Sequence, residues 1–307
     1  MNGVLIIDKS AGPTSHDVVA SVRRVLRMKK VGHTGTLDPA ATGVLPIVLG
    51  KATKLSRYLV GCDKSYRGVV TLGVTTDTLD AVGEVLEEKP VDVTEEQIEA
   101  VLEQFRGDIK QVPPMYSAKK IDGKKLYELA RQGVEVEREA KDVRIDELKL
   151  VSFDGTDIVV DVTCTSGTYI RVLALDIGEA LGCGAHLSAL RRTRVGSFDL
   201  SSAITIDDLA DEPQKAQELT LSMGDALVAL PAIEIPADIG AMIKNGYQLT
   251  VADLRTLDLP EFKEDDALML RTLQGDLIAV ARSLYASESL GATRREKQAL
   301  KTERVLA

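Results

Sequence analysis

Residues 157–164 alternate strictly, with Ile158, Val160, Val162 and Cys164 on one side and Asp161 and Thr163 on the other. A period of two with one apolar side predicts a strand that buries a single face. The run Val4, Leu5, Ile6, Ile7 up to Asp8 predicts a shorter strand, ended by a turn through Gly12 and Pro13, with a helix starting at Thr14 or Ser15. A third strand is expected over 66–74. Thr94, Glu95, Glu96 and Gln97 spell a capping box, and Ile98, Val101, Leu102 and Phe105 behind it form one helical stripe. Strands and helices follow no regular alternation. This predicts an α+β fold with a mixed, largely antiparallel central sheet flanked by helices. Acidic, proline-containing sequence at 211–213 and the stretch 230–236 mark a boundary, beyond which 243–249 and 268–282 look like elements of a small β-rich domain. The division expected is 1–230 and 231–307, with no internal repeat.

Composition narrows the class. Of 307 residues 44% are hydrophobic and 28% charged, which is the balance of a globular protein rather than a fibre or a disordered tail. The N-terminus lacks a basic stretch and reaches Asp8 early, and apolar runs are too short for a membrane span, so a cytoplasmic protein is expected. Cys62, Cys164 and Cys183 are odd in number and far apart, and the histidines are His16, His33 and His186. Neither a disulfide framework nor a metal site is predicted. The net charge of −9 hides an asymmetry: the first seventy residues carry eleven Lys or Arg against four acids. Further basic groups gather at Lys119, Lys120, Lys124 and Lys125, at Arg191, Arg192 and Arg194, and at Arg294, Arg295 and Lys297. Arg23, Arg24 and Arg27 suit a helix C-terminus, but the clusters together suit a polyanionic partner.

The chemistry concentrates in residues 32–43, where Gly32, His33, Thr34, Gly35, Thr36, Leu37, Asp38 and Pro39 are followed by Ala40, Ala41, Thr42 and Gly43. Asp before Pro is, by itself, a common helix start. A carboxylate on a glycine-punctuated loop can also be aimed at a substrate. A phosphate-binding loop at Gly50 and Lys51 fails, because Leu45 stands where its first glycine belongs and Ala52 where its Ser or Thr belongs.

The 32–43 segment resembles the catalytic motif of the TruB family of tRNA pseudouridine synthases. So do Asp63, Lys64, Ser65 and Tyr66; Thr76, Asp77, Thr78 and Asp80; Pro113 to Ser117 with Ala118 and Lys120; Gly167, Thr168, Tyr169, Ile170 and Arg171; and His186, Leu187, Leu190, Arg191 and Arg192. The resemblance covers residue 2 to about 230. It implies a pseudouridine synthase-like fold and isomerisation of the uridine at position 55 in the T-arm loop of tRNA, with no cofactor and no metal. It implies Asp38 as nucleophile, Arg171 and Asp80 as an acid–arginine–acid network with it, and Tyr66 and Tyr169 against the extracted base, Tyr66 with a share in proton movement. Without the motifs, Arg171 and Asp80 read as a surface ion pair and the tyrosines as core. The same resemblance puts His33 in the gap left by the flipped nucleotide, Leu190 beside the site and Lys9 at the substrate, although Ser10 replaces the proline that follows this lysine in the family. Residues 111–133 correspond to an insertion closing over the RNA loop. Residues 231–307 sit where a PUA-type RNA-binding domain would, with only 244–249 resembling it. Alternatives are an RNA-folding module in which binding matters more than chemistry, and a synthase acting on another structured RNA.

Overall fold

The computed structural model describes residues 1–117, 120–121, 123–130, 132–134 and 136–306, without the side chains of Lys120, Ile121, Lys124, Lys125, Tyr127 and Glu128. Lys119 and the lysine side chains of the 119–125 cluster therefore lie outside the described residues, as do Ala118 and Arg131 of the 111–133 segment. Among the described residues a ten-stranded sheet forms the body of the molecule. Its main path runs Ala203–Ile204, Gly3–Lys9, Thr42–Leu49, Ala185–Val195, Lys64–Leu72, Asp157–Cys164, Lys141–Phe153 and Gly107–Gln111. Most neighbours are antiparallel, as expected. Two pairings are parallel, and one of them, Thr42–Leu49 with Ala185–Val195, involves only Arg191 opposite Thr42 and Arg192 opposite Gly43. This narrow seam joins two parts that are antiparallel apart from the edge pair Ala203–Ile204 with Gly3–Lys9. Gly43 has φ +101°, and a Cβ there would collide with the carbonyl of Arg192, so close strand approach requires glycine at this point.

The strand at Asp157–Cys164 buries Ile158, Val160, Val162 and Cys164, all at or below 1% exposure, against the helices Glu95–Gln104 and Ile170–Leu181. Gly3–Lys9 behaves differently, because both its faces are covered. Leu5 and Ile7 meet Val18, Val19 and Val22 of the helix Ser15–Val25, while Val4 and Ile6 join a cluster with Met269, Val280 and Leu306. Burial on both sides explains a continuous apolar run in place of alternation. The expected strand at 66–74 runs Lys64–Leu72, and Gly73 at φ +82° turns the chain into Val74–Thr76.

Residues 232–305 contribute a second sheet, ordered Ala232–Ile235, Ala267–Thr272, Leu277–Ser283 and Leu300–Val305. The expected β-element at 243–249 is overturned: Ala237–Lys244 is a helix, and Gly246 at φ +96° ends it. Ile239 and Ile243, four apart, pack its one apolar face on this sheet's core, and the Gly246 and Tyr247 amides bond back to Ile243 and Met242. No helix among the described residues is long and apolar enough to cross a membrane.

Asp176, on Ile170–Leu181, is pushed up to about 6 by burial and then by Glu179. The folded state therefore holds a proton that the unfolded state releases, and stability falls as the pH rises through that interval. Asp176→Asn is expected to gain ~1–2 kcal/mol near neutral pH, allowing for solvent screening, and nothing below about pH 3.5. Urea midpoints at the two pH values check this.

Candidate active site

The loop 34–41 is held along most of its length. Thr34 N–H donates to Pro46 O (3.2 Å) and Gly12 N–H to Pro39 O (2.9 Å). Ser15 Oγ donates to Leu37 O (3.0 Å) and accepts the Leu37 N–H (2.8 Å), with Leu37 buried under the Ser15–Val25 helix. Arg192 Nη2 and Nη1 donate to the carbonyls of Gly35 and Thr36 (3.2 and 3.3 Å). No helix follows Pro39; the Ala41 N–H closes a turn on Asp38 O (3.1 Å), so Asp38 is not a helix cap. Its backbone is fixed while its side chain remains 46% exposed.

Lys9, expected at the substrate, is instead 1% exposed and corrects that expectation. Its ammonium donates to Ser10 O (3.0 Å), Pro39 O (3.0 Å) and Ala41 O (2.7 Å), tying the first strand to the loop from beneath. Burial lowers its pKa, against the pull of the Asp38 charge. Lys9→Met strips the donor from three carbonyls and is expected to destabilise the protein by about 3 kcal/mol. Thermal unfolding of the variant measures the loss.

Arg171 stands in the first turn of Ile170–Leu181 and joins two acids. Its Nη2 lies 3.2 Å from Asp38 Oδ2 and its Nη1 3.1 Å from Asp80 Oδ2. The same nitrogens donate to the carbonyls of Tyr116 (2.8 Å) and Thr78 (3.2 Å). Asp80 Oδ1 in turn accepts from Thr78 Oγ1 (2.6 Å) and the Val82 N–H (3.1 Å). With every charge paired and the guanidinium side chain 9% exposed, this is no loose surface pair. Gln111, 2% exposed, sets the entry to the helix: its Oε1 accepts the Tyr169 N–H (2.9 Å) and its Nε2 donates to Tyr169 O (3.3 Å).

A cleft of about 360 Å³ opens over these groups, lined by Asp38, Arg171, Tyr66, Tyr169 and Leu190, and also by Lys64 and Arg192. Tyr66 is 8% exposed and its hydroxyl is pushed up to about 12 by burial, with Arg192 pulling the other way. Lys9 and His33 do not line the cleft. His33 ends the strand Val31–His33 with Nδ1 buried and unpartnered among the described residues, and burial lowers its pKa. The basic cluster at 191–194 is corrected as well. Arg192 is 1% exposed, Arg191 pairs with Asp8 (2.7 Å) and Arg194 donates to Ser65 and Gly196. Lys64, Arg192 and Gln111 were missed as site groups. Lys64 carried a signal, standing two residues before Tyr66 and so on the same side of a strand. Cys62, Cys164 and Cys183 are free, and no metal-holding group of His, Cys, Asp and Glu occurs among the described residues. A half-exposed carboxylate fixed by a buried guanidinium at the edge of a cleft can attack an electrophilic carbon.

Residues 23–170 match the model described as TruB family pseudouridylate synthase (N terminal domain), and residues 171–228 that described as tRNA pseudouridylate synthase B C-terminal domain. The fold agrees over nearly the whole chain with Cbf5 in a Cbf5-Nop10-Gar1 complex, at 30% identity and a TM-score of 0.81, covering 99% of this chain and 85% of that one. Fold and site thus define a pseudouridine synthase, an isomerase. A protein named tRNA pseudouridine synthase B from Syntrophus aciditrophicus is 42% identical over 99% of this chain and 98% of its own. Another of that name from Azoarcus sp. is 51% identical over 81% of this chain and 83% of its own. The chain belongs to the TruB family.

Proposed function

We propose that this enzyme converts uridine to pseudouridine at position 55 in the T-arm loop of tRNA, in the cytoplasm, with Asp38 as the nucleophile toward a flipped-out nucleotide. The observation that carries the reading is the full-length similarity to a protein named for tRNA, together with an ionisable, half-exposed Asp38 held by Arg171 at the mouth of the cleft. Uridine and pseudouridine are isomers. The C1′–N1 bond breaks, a C1′–C5 bond forms, C5 loses a proton and N1 gains one, so no oxidant, phosphate donor or cofactor enters the balance. Asp38 holds one fragment while the base turns, Asp80 fixes Arg171, and Tyr66 and Tyr169 face the base. Leu190 packs beside it, and His33 fills the place the nucleotide leaves.

The arm itself has a counterpart away from the cleft. Arg23, Lys29, Lys30, Lys51 and Lys54 surround a second concavity and none pairs with a carboxylate among the described residues. Such a patch suits phosphates of an A-form stem, whose base edges are hard to reach. In this reading residues 1–230 form the catalytic unit, with 111–133 closing over the RNA loop, and 231–307 an accessory RNA-contacting unit. Pseudouridine mapping across all RNAs of a deletion strain, with and without the restored gene, tests the target. Loss confined to position 55 of tRNA is expected; loss in another structured RNA alone would replace the substrate, and loss nowhere would leave an RNA-folding role.

A further inference from the structure

Among the described residues, the charges of two cations in the cleft have no carboxylate to answer them. Lys64 is 7% exposed and Arg192 1%, both line the cleft beside Tyr66, and neither has a carboxylate partner among the described residues. Their hydrogen bonds go to carbonyls instead, and for Arg192 to the Tyr66 hydroxyl as well. Lys64 Nζ donates to Val60 O (3.2 Å) and Cys62 O (2.6 Å), and Arg192 donates through Nε to Val44 O (2.7 Å) besides Gly35 and Thr36. The two are also neighbours, since a Cβ placed on Gly35 would stand 3.7 Å from Arg192 Nη1 and 3.7 Å from Lys64 Cε. Burial and their mutual repulsion lower the pKa of Lys64.

Carbonyls satisfy N–H groups but leave the net charge in place. Two adjacent cations taken out of water without a counter-ion oppose folding. Lys9 shows that a buried ammonium can serve carbonyls alone in this fold. Lys9, however, lies outside the cleft and is drawn on by Asp38, whereas Lys64 and Arg192 face the cleft, where a site that receives an anion uses their charge.

We propose that Lys64 and Arg192 form a fixed cationic floor that stabilises the negative charge on uracil when its glycosidic bond breaks. This rests on the reading that the cleft holds a uridine. As the C1′–N1 bond breaks and Asp38 bonds to C1′, both electrons of the old bond stay with the base and spread over N1, O2 and O4. C5 then bonds to C1′ as the Asp38–C1′ bond breaks and frees the carboxylate, the C5 proton leaves and N1 is reprotonated. The two cations keep their protons throughout. A field already in place, in a site shielded from water, favours the anion over the neutral nucleotide and so raises the rate rather than the affinity. Lys64 and Arg192 would be catalytic residues of this enzyme.

The test varies the leaving base. Fluorine at C5 withdraws electrons and stabilises the uracil anion without help, while adding little bulk. In single-turnover reactions on T-arm RNA, Lys64→Met is expected to slow uridine isomerisation about 100-fold. Its effect on 5-fluorouridine leaving the N-glycosidic form, followed by fluorine NMR of nuclease digests, should be no more than about tenfold by the same electrostatic argument. Affinity for RNA should be unchanged. Lys64→Arg and Arg192→Lys, which preserve charge, should keep the wild-type ratio between the two substrates even if a shifted side chain slows both. Equal losses on both substrates for Lys64→Met, a changed ratio in the charge-preserving variants, or a loss confined to affinity would overturn the proposal. A wild-type enzyme inactive on uridine would instead overturn the proposed function itself.

Discussion

Asp38→Asn is expected to bind T-arm RNA within about twofold of wild type and to lose at least about 10⁴-fold in isomerisation, the scale seen when a nucleophile is removed. The two side chains have the same shape, and the loop beneath is held by Lys9, Ser15 and Arg192 rather than by the carboxylate. Arg171 keeps Asp80 as its partner (3.1 Å), so the substitution strands no buried charge. An amide, however, lacks the negative oxygen needed to form a bond to carbon. Tritium release from 5-labelled uridine RNA gives the rate and filter binding the affinity. Substantial turnover by the variant would remove Asp38 from the chemistry.

Arg171→Met acts on both stability and rate. It leaves Asp80, 18% exposed, without its counter-charge and takes donors from the carbonyls of Thr78 and Tyr116. Breaking a largely buried ion pair from one side costs about 3–5 kcal/mol. In the surviving folded fraction Asp38 loses the group that aims it, with a further loss of 10²–10³-fold expected for a missing charge at the reacting centre. Arg171→Lys should recover part of the stability but little of the rate, because one ammonium cannot span Asp38 and Asp80 as the two guanidinium nitrogens do. Urea unfolding and single-turnover kinetics on the same preparations separate the effects; a methionine variant with wild-type midpoint and rate would contradict both.

What could be read from the chain beforehand follows the range of the interactions involved. The alternation at 157–164 and the stripe behind Thr94 report local periodicity, and both elements lie at Asp157–Cys164 and Glu95–Gln104. The run at 4–7 showed that a strand was present but not that it is covered on both faces, since one cover comes from Met269, Val280 and Leu306 at the far end of the sequence. At 243–249 a few apolar residues fit either period, and the helix was identifiable only with Gly246 read as its terminator. The meeting of Arg171 with Asp38 and Asp80 had no local signature, and the motifs supplied it through family likeness. Lys9 and Arg192 were misjudged for one shared reason. A basic side chain defaults to the surface, and its burial depends on strand pairings such as Gly43 with Arg192 that sequence spacing does not encode.

The narrow parallel seam has a bearing on how the enzyme is born. A chain leaving the ribosome presents Asp38 early, yet Arg171 arrives much later and Arg192, which grips the carbonyls before the aspartate, later still. Until the strand Ala185–Val195 slots between two strands made long before it, the carbonyls before Asp38 lack the arginine that holds them. Products cut short before that strand are therefore expected to lack an ordered cleft.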